Sequence, residues 1–162
     1  MGTQTSQPSK PPIVPTGLSD QPGMIAYPGS QPMQTVADIL RSKSDSTVYT
    51  IAPEATVYDA IEMMNDRHIG ALVVREGEEI VGIVTERDFT QKMVLKGRTS
   101  RGTPVRDIMA SPVILVRSEQ TTEDCMVLMG ANKLRHLPVV DGGRLVGMVS
   151  IRDLVNDIIA NL

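Results

Sequence analysis

Two segments of the chain carry the residue types best suited to chemistry at a ligand. They are GIVTERD at residues 82–88 and GMVSIRD at residues 147–153. In each, an apolar run ends at a hydroxyl residue, Thr85 or Ser150, and an acid follows three places later, Asp88 or Asp153. A hydroxyl and a carboxylate at this spacing could hold a polar small molecule.

The order of residue types in these segments predicts a buried strand followed directly by a helix. The hydroxyl then lies on the turn between them, where unpaired backbone N–H groups and the helix dipole favour an anion such as phosphate. The acid suits a hydroxyl-bearing group such as a ribose. A phosphate beside a ribose indicates a nucleotide. The alternative is that Asp88 and Asp153 only stabilise the helix starts by their charge.

The segments belong to a longer internal duplication. Residues 48–94 align without a gap on residues 113–159, so that Thr56 meets Thr121 and Asp59 meets Asp124. Identity at many positions in one register indicates a repeat. Thr56 and Thr121 are predicted helix N-caps, because an acid follows each after three residues.

Each copy is predicted to run strand, helix, strand, strand, helix. A copy of roughly 50 to 60 residues can bury little core alone, so we expect two copies packed sheet to sheet about a pseudo-twofold axis, with ligand clefts between them. The predicted strands and helices are strands 48–51 and 113–116, hairpins 71–84 and 137–149, closing helices 87–96 and 152–162, and short leading helices 36–40 and 105–109.

Composition narrows the class of protein. The chain has 162 residues, of which 41% are hydrophobic and 22% charged, as in ordinary globular proteins. A net charge of −3 with 2% aromatic residues argues against nucleic acid as a partner. The lone Cys125 fits a reducing compartment, and no apolar run approaches the roughly 20 residues of a membrane span or resembles a signal peptide. We therefore expect a cytoplasmic protein without membrane contact.

Changes in composition along the chain predict domain boundaries. Residues 1–32 are rich in Pro, Gly, Ser and Gln and are predicted to be a disordered tail. The first repeat follows at 33–96, a linker at 97–104 and the second repeat at 105–162.

Catalytic and metal chemistry find no support in the sequence. Two histidines and one cysteine give no metal-ligand spacing, and Cys125 lies on an apolar helix stripe as a core residue. Neither a phosphate-binding Walker loop nor a nucleophile elbow occurs. We predict no enzyme, no metal and no catalytic cofactor.

The duplicated pattern resembles the tandem CBS domain, also called a Bateman module. The matching features are the helix starts at Thr56 and Thr121, the run Leu134–Asp141, and the two Gly-x-x-Thr/Ser-x-Arg-Asp segments. The resemblance covers about residues 36–162 and is strongest to stand-alone bacterial members. It implies an α+β fold of two β-α-β-β-α repeats, a homodimer, and a signal-transduction or energy-sensing role with AMP, ADP, ATP or NAD as ligand; some relatives bind S-adenosylmethionine.

Site residues follow from the same resemblance. It implies that Asp88 and Asp153 bind the ribose, that Thr85 and Ser150 bind phosphate, and that Arg87 and Arg152 are charge partners. It also implies an adenine slot lined by Tyr49, Ile51, Ile114 and Val116, with further contacts from the family β-run at Arg135, His136 and Pro138. The first copy has Gly70–Val73 in place of that run. We therefore expect the site with Ser150 and Asp153 to bind nucleotide better.

Three hypotheses remain open from the sequence. The first is a non-catalytic sensor of adenine nucleotides that acts on an unidentified regulated protein. The second is a structural dimerisation or partner-docking module with degenerate clefts. The third is a regulatory fragment of a nucleotide-metabolising enzyme such as an IMP dehydrogenase, whose catalytic barrel this length cannot hold.

Overall fold

A computed structural model describes residues 9–15 and 34–162, and they form two compact units. The first unit contains residues 9–13 and Tyr49–Val113, and the second contains residues 14–15, 34–48 and Ile114–Leu162. These units differ from the sequence repeats in one respect. Each leading segment packs with the body of the other copy.

The regular elements mix helices and short strands, as an α+β fold requires. Three short helical turns supplement them, a π-helical turn at Phe89–Met93 and 3₁₀ turns at Val94–Lys96 and Val105–Asp107. In chain order the helices and strands are α1 (Val36–Ser42), β1 (Thr50–Ile51), α2 (Val57–Arg67), β2 (Ala71–Glu76), β3 (Glu79–Thr85), α3 (Glu86–Asp88), α4 (Thr122–Asn132), β4 (His136–Asp141), β5 (Arg144–Ser150) and α5 (Ile151–Ala160).

The first unit is built on a three-stranded sheet in the order β1-β2-β3. Strand β1 runs parallel to β2, and β2 runs antiparallel to β3, with Ala71 opposite Thr85. Because β1 and β2 begin where β3 ends, Tyr49 and the Thr85 turn lie at the same end of the sheet. The core beneath it is apolar and includes Ile51, Val57, Met64, Leu72, Val74, Val84 and Ile108.

The second unit repeats this arrangement with a smaller sheet. Strands β4 and β5 are antiparallel, with His136 opposite Ser150, and Val116 forms a single parallel bridge to Val139. The segment before Val116 therefore begins at the end of the sheet where β5 finishes. The core of this unit includes Val36, Ile39, Val116, Cys125, Met129, Leu137, Val149 and Leu154.

The predicted N-caps and hairpins are confirmed. Thr56 and Thr121 each exchange backbone and side-chain hydrogen bonds with the acid three residues on, at 3.1–3.2 Å. The hairpin turns contain glycines with positive φ, Gly77 at 61° and Gly142 and Gly143 at 56° and 77°. In the second hairpin both central residues, Gly142 and Gly143, have positive φ, which matches the twist of a two-residue turn; in the first hairpin Gly77 alone has it.

The predicted strand 113–116 is wrong in extent, since Val116 makes only an isolated bridge. Its N–H donates to Pro138 O at 3.0 Å and its carbonyl accepts from Val140 N at 2.8 Å. The next bond of a parallel ladder would need an N–H on Pro138, which proline lacks. At the aligned place in the first unit Val73 N does donate to Tyr49 O, at 3.3 Å. Strand β1 is also shorter than predicted.

The predicted closing helix 87–96 is also irregular. Only Glu86–Asp88 is α-helical; a π-helical turn and a 3₁₀ turn follow, and the segment ends at Gly97 with φ 65°. Its counterpart α5 is a regular helix, and α1 extends to Ser42, whereas the predicted helix 105–109 is a 3₁₀ turn. Within the described residues, no helix has the length and apolar character needed to cross a bilayer.

The glycine that opens each repeated segment makes room for a leading-segment side chain. A Cβ added at Gly147 would lie 2.7 Å from both Leu40 methyl carbons, and one added at Gly82 would lie 2.8 Å from Met109 Cγ. Leu40 and Met109 occupy the same place in the two leading segments. These glycines therefore allow each leading segment to pack on the strand of the other copy.

We predict that Gly147→Ala lowers the free energy of unfolding by about 1–3 kcal/mol, because the added methyl overpacks against Leu40. Chemical denaturation measures the change. Gly130→Ala is the matched control, since Gly130 lies in α4 with nothing within 4 Å of its added Cβ. It should stabilise by up to about 1 kcal/mol through helix propensity. An equal loss from Gly147→Ala in a Leu40→Ala background would contradict the packing argument.

Cys125 lies in the core of the second unit, as its place on the helix stripe predicted. Burial raises the pKa of its thiol to about 12, with the Asp124 and Glu123 carboxylates adding to the effect. Since the thiolate is the reactive form, this cysteine should be inert in the folded protein.

We predict that an aromatic disulfide reagent at about pH 8 labels Cys125 only after denaturation, because the native thiol is both buried and protonated. The folded pKa of about 12 exceeds the ordinary 9.0, so the thiol's contribution to stability is present below pH 9.0 and is lost as pH rises towards 12. Absorbance of the released thiolate reports labelling. Rapid native labelling at a rate independent of denaturant would contradict this placement.

Candidate functional site

The Ser150 turn holds its acid in a fixed position at the start of α5. Ser150 N donates to Asp153 Oδ2 at 2.9 Å, and Asp153 N donates to Ser150 Oγ at 3.1 Å. This reciprocal pair is a capping box. The carboxylate and the hydroxyl predicted to bind ribose and phosphate are therefore adjacent and preoriented.

The Thr85 turn has the same spacing but a different use of the hydroxyl. Thr85 N donates to Asp88 Oδ2 at 2.8 Å, and the Thr85 hydroxyl donates to the same oxygen at 3.3 Å. The Ser150 hydroxyl accepts a bond instead, so its proton can be donated to a ligand. The two turns thus offer different hydrogen-bonding groups.

Backbone donors at the two turns are partly used by the fold. Ile151 N donates to Arg135 O at 2.8 Å, and at the aligned place Glu86 N donates to Gly70 O at 3.3 Å. These bonds tie each helix start to the residue that precedes the neighbouring strand. An anion at the Ser150 turn would rely on the Arg152 N–H and the Ser150 hydroxyl.

Each predicted ribose acid is paired with a lysine. Lys43 Nζ lies 3.0 Å from Asp153 Oδ2 and donates to Met148 O at 2.9 Å. In the first unit Lys92 Nζ lies 3.1 Å from Asp88 Oδ1 and donates to Ile108 O at 2.9 Å. The acids are well covered, with side-chain exposures of 15% for Asp153 and 12% for Asp88.

Sequence reasoning did not find these lysines. Lys92 aligns with Asp157 in the second copy, and Lys43 follows α1 outside the repeated strands and helices. Neither belongs to a repeated motif. Lys43 reaches Asp153 only through the fold, 110 residues away, whereas Lys92 lies four residues after Asp88, a helical spacing that could have signalled this pair. The basic residue next to each acid in sequence, Arg87 or Arg152, is exposed.

The residues predicted to line an adenine slot divide into two groups. Ile51 and Val116 lie inside the cores of their units, at 7% and 0% exposure. Tyr49 and Ile114 are partly buried at the edges of the same cores, and the Arg67 guanidinium lies 5.1 Å from the centre of the Tyr49 ring. The partly open side chains of this set, Tyr49 and Ile114, belong to segments that begin at the same end of each sheet as the turns.

The family β-run predicted in the second copy lies against the Ser150 turn. His136 is half-buried and directly opposite Ser150, while Arg135 is exposed and its carbonyl accepts the Ile151 N–H. Pro138 is buried in the strand. The first copy has Ala71 opposite Thr85, so the residue at this place carries an imidazole in the second copy and a methyl group in the first.

Comparison with known proteins places this geometry in a family. The family model for the CBS domain matches residues 36–95 and again residues 105–160. A CBS-domain protein structure from Burkholderia ambifaria MC40-6 is 49% identical, with a TM-score of 0.77, and the match covers 79% of this chain and 96% of that one.

Two further proteins extend the comparison. The mitochondrial CBS domain-containing protein CBSX3 of Arabidopsis thaliana is 37% identical over 149 residues, which are 87% of this chain and 72% of the relative. A CBS domain pair in complex with 5′-methylthioadenosine and S-adenosyl-L-methionine has the same fold, with a TM-score of 0.71 at 21% identity over 81% of this chain and all of that chain. With two matched copies and these relatives, the chain belongs to the CBS-domain family as a tandem CBS pair.

Proposed function

We propose that this protein is a non-catalytic regulatory module that binds adenine nucleotides, with AMP, ADP, ATP or NAD as the ligand. The observation that carries the proposal is the Ser150–Asp153 turn, where a carboxylate and a hydroxyl are held side by side at a helix start. The CBS pair that holds 5′-methylthioadenosine and S-adenosylmethionine supports an adenosine-containing ligand. A cytoplasmic location stays a prediction.

The roles within the proposed site follow from the donor and acceptor groups. Asp153 accepts the ribose hydroxyls, and the Ser150 hydroxyl donates to the phosphate. Tyr49 and Ile114, each in its own unit, are the partly open apolar surfaces for the base. Arg152 and His136 lie beside the Ser150 turn and are the further candidates for contact with the phosphate.

We propose the second copy as the better site because its acid has a carboxylate oxygen that is not used by the described part of the fold. In Asp88, Oδ2 receives both Thr85 donors and Oδ1 receives Lys92. In Asp153, the hydrogen bonds formed by the described residues all go to Oδ2. Oδ1 of Asp153 is therefore the oxygen that can accept from a ribose without loss of an existing bond.

Binding would act by a shift in population. A nucleotide that prefers one conformation of the protein raises the fraction of that conformation by its difference in affinity. The regulated output is a change in the dimer or in the binding of a partner protein, and no bond in the ligand is broken.

We predict that Asp153→Ala weakens AMP binding by about ten- to a hundred-fold, because a charge-assisted hydrogen bond contributes roughly 1.5–3 kcal/mol. Isothermal titration calorimetry measures the affinity. Asp59→Ala is the matched control, since Asp59 forms the same capping box with Thr56 at the start of α2. Both variants should lose about 1 kcal/mol of stability with the cap. Equal AMP affinity in the two variants would remove Asp153 from the site.

A homodimerisation role is the second candidate, and one surface favours it. Helix α5 buries Leu154 against its own unit but exposes Ile151, Val155 and Ile158, with Ile159 61% exposed. The spacing places these side chains on one stripe of the helix. A contiguous exposed apolar stripe of this kind marks an interaction surface. We propose that it is covered by a second copy of the chain.

We predict that Ile158→Glu converts a dimer to a monomer, because it places a charge in the apolar stripe that the second copy would bury. Light scattering coupled to size-exclusion chromatography gives the mass. Asn156→Glu on the exposed part of the same helix is the control and should leave the dimer intact. A dimer that persists in Ile158→Glu would show that α5 is not its interface.

A further inference from the structure

We infer that Lys43 and Lys92 set the ligand class of the two turns, so that each selects an adenosine ligand with an anionic group beside the ribose over an uncharged or cationic one. The inference rests on the proposed function. The two lysines lie outside the repeated segments 82–88 and 147–153, and they would add a determinant of ligand specificity to the residues of those segments.

The two lysines form the same three-part contact in different ways. Each ammonium lies between an acid of the repeated segment and a backbone carbonyl, at 3.0 and 2.9 Å for Lys43 and 3.1 and 2.9 Å for Lys92. Lys43 comes from the residue after α1, and Lys92 comes from the π-helical turn. Lys43 lies between the aligned leading helix and the aligned strand, where the two copies differ in length, so it has no aligned residue, and Lys92 aligns with Asp157. A cation thus lies at both acids, at Asp153 through a contact distant in sequence and at Asp88 through an i,i+4 pair.

The number of donors on an ammonium allows a further contact. A lysine ammonium has three N–H groups, and two are directed to the acid and the carbonyl. The third can donate to a ligand phosphate without loss of the other two. Lys43 is 23% exposed and Lys92 40% exposed, so each is accessible from outside.

Charge decides which ligands are compatible with this arrangement. A carboxylate alone would repel a phosphate held beside the ribose, and the adjacent ammonium offsets that repulsion. Because the acid is 15% exposed in the second unit, solvent and salt screen these interactions only in part. A sulfonium or amino group on the ligand would instead meet a cation already in place. The sites should therefore prefer nucleotides to S-adenosylmethionine.

The experiment compares AMP, adenosine and S-adenosylmethionine by calorimetry on the full chain and on Lys43→Met and Lys92→Met. Methionine retains much of the apolar stem and removes the charge. We expect each variant to weaken AMP binding at its own site by about ten-fold or more and to change adenosine binding by less than about two-fold. The wild-type protein should bind S-adenosylmethionine more weakly than AMP.

Two controls separate charge at the site from charge in general. Lys96→Met makes the same change in net charge at an exposed position and should leave AMP binding unchanged. Lys43→Arg retains the cation and should keep the preference for AMP over adenosine within about three-fold of the wild-type value. Thermal denaturation confirms that each variant is folded.

Three results would overturn the inference. One is an AMP affinity in Lys43→Met equal to that of Lys96→Met. Another is tighter binding of both AMP and adenosine to Lys43→Met, which would mean that the lysine competes with ligands for Asp153. If the wild-type protein binds neither AMP nor adenosine, the proposed function fails along with the inference. AMP binding without discrimination by the lysines leaves the proposed function standing.

Discussion

A carboxylate that accepts the backbone N–H of a hydroxyl residue three places before it is the interaction on which the rest of this structure depends. Among the residues that the structure describes, it occurs at five helix starts, at Thr35, Thr56, Thr85, Thr121 and Ser150. It satisfies a donor that would otherwise lack a partner at the helix start. At Asp38 this hydrogen bond also favours the charged form, since the Thr35 backbone N–H lowers the pKa of that carboxyl below its usual range. Asp38 is therefore held in a fixed place, with its ionised form favoured.

The same interaction has two different consequences in the chain. At Asp59 and Asp124 the acid caps a helix, and the structural role accounts for it. At Asp88 and Asp153 the acid stands where a strand ends and is also paired with a lysine that holds a backbone carbonyl. The capping geometry preorients the acid, and the lysine changes the charge around it. On this account, the fold supplies the position of the acid and a lysine outside the motif supplies its preference for a ligand.

Local features were predictable from the sequence, and features that depend on distant residues were not. The N-caps at Thr56 and Thr121 and the hairpin turns at Gly77 and Gly142 follow from residues within a few places of each other. The pairing of Lys43 with Asp153 spans most of the chain, and no pattern of spacing signals it. The packing of Leu40 against Gly147 is equally distant in sequence, and no local pattern signals it. The shortened strand at Val116 could have been anticipated, because Pro138 lacks the N–H that a longer ladder needs.

A crystal structure of the protein grown with AMP tests the central claim most directly. The account predicts density for a nucleotide at the start of α5, with a ribose hydroxyl within hydrogen-bonding distance of Asp153 and the phosphate in contact with Ser150 and Lys43. Density for AMP at another surface, with the Lys43–Asp153 pair unchanged and its surroundings empty, would contradict the account. Asp153 would then be a helix cap and nothing more.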